Sequence, residues 1–274
     1  MGAALARADG IEVYRRLVVA GFRRQARYRM AMFAGLATNC VFGFVRAAVM
    51  MAAVQTAGSF GGYTQGTMGA YVWLSQGLLG ALQFMAPATD LMERIRNGDV
   101  AIDFLRPVDV QFSYMATDLG RAAATILPRG VPSVLVGSLT FGLALPTTVG
   151  PYLLGAASIV LAVMISFLSL FLVGLVGFWV VETRGVRLLY QTVGPFLAGL
   201  FVPVHMFPAW LRTIAHATPF PSMLQAPIDV FSGRIVGMPA LEIVGTQVFW
   251  LLVMGTLGRI ALAAGRRKLE VQGG

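Results

Sequence analysis

The chain has 274 residues, of which 57% are hydrophobic and 12% charged, with a formal net charge of +9. A soluble domain carries roughly 25% charged residues, so the composition excludes one and indicates an integral membrane protein. The positive balance does not indicate nucleic acid, because the basic residues are nearly all arginine and gather at the ends of apolar runs, where the positive-inside rule places them in the cytoplasm.

Residues 1–29 are expected to form a cytoplasmic interfacial segment: Ile11, Tyr14, Leu17, Val18 and Phe22 recur at helical spacing, opposite Glu12, Arg16, Arg23 and Arg27. No cleavable signal peptide is expected before the first long apolar run, whose basic leader is too long for one. A spanning helix needs about 20 apolar residues, and the pattern predicts six, at about 30–54, 67–89, 122–145, 152–181, 188–204 and 241–264. Both termini then lie inside, with residues 55–66, 146–151 and 207–238 outside. The fold class is all-α and polytopic, a single membrane domain over 1–274. Cys40 lies inside an apolar run and can form no intrachain disulfide.

The first span carries a stripe, Gly35, Asn39, Gly43 and Ala47, at four-residue spacing, which lets helices approach closely; Arg46 lies on nearly the same side. A charge at mid-span costs roughly 2.5–3.5 kcal/mol, so Arg46 faces protein or water, or snorkels outward. The third span is interrupted: Asp118, Arg121 and Arg129 fall early in it and Pro128 and Pro132 break it, predicting a kinked helix whose first half is wet or protein-buried.

Between the second and third spans runs DLMERIRNGDVAIDFLRPVD, Asp90 to Asp109. Asp90 and Glu93 have the spacing of a capping pair, Leu91, Met92 and Ile95 share a face, and Gly98 ends the turn. Asp99 caps a second short helix in which Val100, Ile102, Phe104 and Leu105 supply apolar side chains, and Pro107 stops it. Such a pair of amphipathic turns suits pressing on another protein, or serves only as a solvated connector. Before the last span, Pro208, Pro219, Pro221 and Pro227 cut the chain into short pieces, with a short helix around 209–217 and Phe207, Trp210 and Phe220 suited to an interface.

Catalytic motifs are absent. There is no G-x-x-x-x-G-K-[ST] phosphate loop, no G-x-S-x-G and no paired carboxylates within a span. His205, His216 and Asp229 could in principle hold a metal, but their spacing is not that of ligands, and interfacial polar roles fit better.

The order of parts resembles the permease subunits of type-2 ATP-binding-cassette (ABC) transporters, in particular the small six-span bacterial group. The resemblance is carried by a basic interfacial helix, by G-D-x-A-I-D-F-L-R-P at Gly98 to Pro107, by F-P-x-W-L-x-x-I-A-x-x-x-P-F at Phe207 to Phe220, and by the ending R-R-K-L-E-V-Q-G-G. It implies a non-catalytic chain in a bacterial inner or plasma membrane, with no cofactor of its own, working with two ABC ATPase subunits that use ATP and Mg and with a second permease, identical or related. It further implies that Leu91, Ile95, Asp99, Ile102, Asp103, Phe104, Leu105 and Arg106 belong to the ATPase-coupling loop, and that Gly35, Asn39, Gly43 and Arg46 face the pathway or the second permease. The outer hairpin is then marked by Phe207, Trp210 and Phe220. An ATP-independent secondary transporter or channel, or a structural assembly factor, would fit the hydropathy as well. Membrane lipid is the remaining expected partner, and the apolar spans suit a lipid, a hydrophobic drug or a peptide as substrate.

Overall fold

A computed structural model describes residues 2–57, 61–84 and 90–272, with side chains over 10–56, 61–84 and 90–268. The architecture is all-helical. Residues 58–60 of the expected first outer loop and 85–89 of the expected second span lie outside the described residues.

Helix α1 (Gly2–Ala26) is followed by the long apolar α2 (Arg29–Ala57) and by α3 (Gln65–Leu79), which Thr64 starts with a reciprocal capping box to Thr67. Two short helices come next, α4 (Asp90–Asn97) and α5 (Val100–Phe104), and then α6 (Val110–Thr125), whose first turn is capped by the Asp109 carboxylate accepting from the Phe112 amide at 2.9 Å. A π-helical turn over Ile126–Gly130 links α6 to α7 (Val131–Phe141) without a break. Pro128 lacks the N–H that an α-helix requires, and the wider turn absorbs the defect, with the Val131 amide reaching back to the Ile126 carbonyl. The expected kink is therefore a π-turn, and the helix starts at Val110, twelve residues earlier than hydropathy placed it (122 − 110).

Helix α8 (Gly150–Leu175) ends in a 3₁₀ turn, Val176–Phe178, and α9 (Arg184–Leu197) carries Pro195 in its last turn. The proline-rich stretch folds as a 3₁₀ turn at Val204–Met206 and as α10 (Ala209–His216), α11 (Phe220–Met223) and α12 (Gln225–Phe231), before the long α13 (Met238–Gln272). Helix α10 matches the short helix expected there.

Among the described residues, 4 helical stretches are long and apolar enough to cross a membrane: Arg29–Thr56, Val110–Phe141, Gly150–Phe178 and Met238–Lys268. The expected second and fifth spans are shorter than the pattern suggested. At 15 residues, α3 extends about 22 Å, less than the roughly 30 Å hydrocarbon layer. It is nevertheless the buried axis of the fold: every residue from Met68 to Leu78 is buried, against α2 and α7 on one side and α12 on another. The apolar run continues past it, but the helix stops at Leu79, and the carbonyls just beyond its end are bound by an arginine described below. Helix α9 is 14 residues long, and the chain leaves it through Gly199, whose φ of +90° a residue with a Cβ adopts only under strain.

The two largest packed clusters among the described residues hold the bundle. One joins Tyr71, Leu74 and Leu78 of α3 to Ile165 of α8, Met223 of α11, Ile228 of α12 and Leu224 between those two; the other lies under the two short helices.

Candidate functional site

The two short helices after α3 form a structured knuckle at the end of the bundle that also holds α1. Leu91, Met92 and Ile95 are buried, as their shared face predicts, and they seat on the end of α8. Glycines make that seat: a Cβ at Gly174 would meet Met92 at 3.2 Å, and one at Gly177 would meet Ile95 at 3.2 Å. Gly98, with φ of +82°, ends α4 and turns the chain into α5. Asp99 occupies the N-cap position of α5, but its side chain makes no capping hydrogen bond.

Ion pairs fix the two turns to each other. Asp103 is only 5% exposed; it accepts from Arg94 at 2.7 Å and from the Tyr114 hydroxyl at 3.2 Å, with Arg106 at 3.7 Å. The bond to Asp103 raises Arg94 above the usual arginine range. Asp90 pairs with Arg24 of α1 at 2.7 Å, and that bond holds its carboxyl below the usual carboxylate range. Lowered in this way, Asp90 keeps the pair intact at neutral pH and loses it only as the pH falls through its own titration.

The remaining expected coupling residues divide by direction. Val100 is fully buried, and Phe104 packs into the cluster below with the Arg266 guanidinium 5.6 Å over its ring. Ile102 and Leu105 point the other way, 54% and 84% exposed, and Asp99 and Arg106 flank them on the surface.

Helix α1 lies along α6, the partner that local pattern did not disclose. The crossing is at Gly21 and Gly120: a Cβ on Gly21 would collide with the Thr117 backbone, and one on Gly120 with the Val18 backbone. The Tyr14 and Phe112 rings meet edge-on at 6.4 Å nearby. Helix α13 joins the same assembly through Arg259, which pairs with Asp109 at 3.4 Å and lies 4.9 Å over the Phe112 ring.

The residues expected to face a pathway or a second permease point into their own chain. Asn39 is buried and donates to the Gln76 carbonyl at 2.9 Å, while its own oxygen accepts from Arg129 at 3.2 Å. Gly35 lies under the Arg129 guanidinium and Gly43 against the Trp73 indole, so the small-residue stripe seats α2 on the π-turn and on α3. Arg46 donates to Ser75 Oγ at 2.9 Å and to the Leu200 carbonyl. Arg121 completes the set, pairing with Asp118 at 2.6 Å and donating to the carbonyls of Gly80 and Ala81 at 3.1 and 2.6 Å. Arg46 of α2 thus ties α3 to the chain after α9, Arg121 of α6 binds the carbonyls just past the C-terminal end of α3, and Arg129 of the π-turn holds α2.

In the outer hairpin, Phe207 is buried and stacks on Phe196 at 5.3 Å, Phe220 is half-buried beside Tyr190, and Trp210 is 66% exposed. Sequence reasoning picked out His205 and Asp229 but not the polar centre that they form with Gln225 and Arg234 behind these aromatic residues. Asp229, 2% exposed, accepts from Arg234 at 2.7 Å and Gln225 at 2.9 Å, with His205 Nε2 2.9 Å away. That same His205 nitrogen abuts Arg234, and one nitrogen cannot donate to Asp229 and accept from Arg234 at once. Gln225 also donates to the Tyr63 hydroxyl and accepts from the Val204 amide, both at 2.9 Å. His216 takes no part in these contacts. Asp229 is occupied by donors, which suits a structural tie better than a metal ligand.

An apolar all-helical bundle with several helices long and apolar enough to cross a membrane is a polytopic membrane protein. The chain belongs to the family described as ABC-2 family transporter protein, which matches residues 41–273. Members of that family are membrane subunits and are not themselves catalytic. No curated protein matches the chain.

Proposed function

We propose that this chain is the permease subunit of an ATP-driven exporter in a bacterial cell membrane, coupled to separate ABC ATPase subunits through the knuckle formed by α4 and α5. The observation that carries the reading is the division of the knuckle's side chains. Asp103, Val100, Ile95 and Phe104 are used within the chain, whereas Ile102 and Leu105 stand exposed on a turn that ion pairs hold in one shape. A pre-shaped turn with two outward apolar side chains and flanking charge is suited to a groove on a partner. The expected α9 crossing and the α3 crossing, each completed by the turns that follow the short helix, give six passes with both termini inside. Two such chains, identical or related, enclose the path, and two ATPases close on ATP and Mg beneath them and move the knuckles as levers.

The test separates the two sides of α5. Leu105→Ala, alone and with Ile102→Ala, is expected to weaken ATPase recovery with the purified permease by about 2 kcal/mol of binding energy while leaving the permease's melting temperature unchanged. Phe104→Ala is expected to lower that melting temperature, because its ring packs within the chain. Wild-type ATPase recovery and transport with Leu105 and Ile102 both truncated would leave the knuckle a connector and sink the coupling role.

A further inference from the structure

Where α1, α6, α8 and α4 come together there is a cavity of about 370 Å³, within the size range of small-molecule sites. One wall is apolar: Leu91 of α4 and Phe167, Leu170 and Phe171 of α8, the two rings 5.5 Å apart. The exposed Arg24 and Asp90 pair borders its solvent side, and Asp118 and Arg121 line its inner end.

Asp118 is unusual there. Its side chain is only 6% exposed, and Oδ1 accepts from both Arg121 and Gln83, yet Oδ2 is buried with no hydrogen-bond partner. Arg121 does not compensate it fully, because the same guanidinium also serves two carbonyls at the C-terminal end of α3, where the helix dipole is negative. An unsatisfied carboxylate oxygen in a low-dielectric site costs more than a made bond returns, so Asp118 Oδ2 is free to accept from one further donor. The cavity is the space from which a donor can approach, by a small turn of the carboxylate.

We propose that the cavity is a binding site for a cationic amphiphile: a primary ammonium head donates to Asp118 Oδ2, and the hydrocarbon part lies along Leu91, Leu170 and the Phe167 and Phe171 rings. The aromatic faces favour a cation as well as a chain. The site lies within one chain beside the interfacial helix α1, so such a molecule enters from the leaflet that α1 lies on. The inference does not depend on ATP coupling, and binding is measured on the full-length permease alone, so its failure leaves the proposed function standing.

The experiment is equilibrium binding of radiolabelled dodecylamine to the permease in lipid nanodiscs, with binding to empty discs subtracted. Dodecylamine is expected to bind at least about tenfold more tightly than dodecyltrimethylammonium, which carries the same charge and chain but no N–H to donate. Asp118→Asn keeps an acceptor toward Arg121 and Gln83 and replaces the free oxygen with a donor amide; it is expected to abolish that preference. Equal affinity of the two amphiphiles for wild-type protein would overturn the proposal, as would an Asp118→Asn protein that retains the preference. Should the variant fail to insert, the wild-type comparison decides alone.

Discussion

Arg46, Arg121 and Arg129 are residues that an apolar helix ordinarily excludes, and each is held by oxygens of the same chain. Arg46 shows what that is worth. Its guanidinium satisfies the Leu200 carbonyl, just past the end of α9, and Ser75 of α3, so Arg46→Leu removes two charge-assisted bonds and leaves a backbone oxygen bare. Bonds to a charged group contribute about 1.5–3 kcal/mol each, and we expect the variant to insert but to lose stability on that scale, read as a lower melting temperature in mild detergent. An unchanged melting temperature would mean that the two contacts do not form. The cost of an arginine at this position was legible in the sequence, but its partners were not. Ser75 lies 29 residues away and Leu200 154, and no local pattern reports which oxygen a long side chain reaches. Phe104 and Leu105 make the same point at short range, since a helix of 5 residues is too brief for periodicity to say which neighbour turns inward.

At the scale of elements, the amphipathic α1 is bound to α6 by close backbone approach. Gly120→Leu puts a side chain where the Val18 backbone lies and is expected to cost about 1–3 kcal/mol through overpacking, concentrated at this crossing. The expected result is faster trypsin cleavage at the arginines of α1, such as Arg16 and Arg23, with α8 and α13 still protected. Equal cleavage of the variant and the wild type would show that the crossing does not hold α1. The knuckle itself was readable, because its signals are local: Leu91, Met92 and Ile95 fall on one face of a turn, and Gly98 supplies the left-handed φ that ends it. The extent of α3 was not, because hydropathy runs on past Leu79 while the helix ends where Arg121 binds the Gly80 and Ala81 carbonyls. Nor did the α1 and α6 pairing show itself, since Gly21 and Gly120 gain their meaning only from each other.

For the whole molecule, the number of crossings decides which face each loop occupies. If α3 and α9 cross together with the turns that extend them, Asn97 lies inside and Thr148 outside. If only the four long helices cross and the N-terminus stays inside, both assignments reverse. With Cys40 replaced by Ser, a single cysteine at Thr148 is expected to react with an impermeant thiol reagent in intact cells, and one at Asn97 is not; both positions are exposed on the protein. The opposite labelling would overturn the six-crossing arrangement with both termini inside and place the knuckle out of an ATPase's reach. The π-turn at Ile126–Gly130 sets the angular phase of the helix that joins these two faces. Each residue of an α-helix advances the side-chain direction by about 100°, and the widened turn fits one extra residue into a continuous winding. Gly120 below the turn meets α1 and Gly137 above it meets the Trp73 indole, two contacts whose relative bearing depends on that residue. Deleting one residue there would straighten the helix and rotate its halves against each other, so that only one of the two glycines could keep its neighbour.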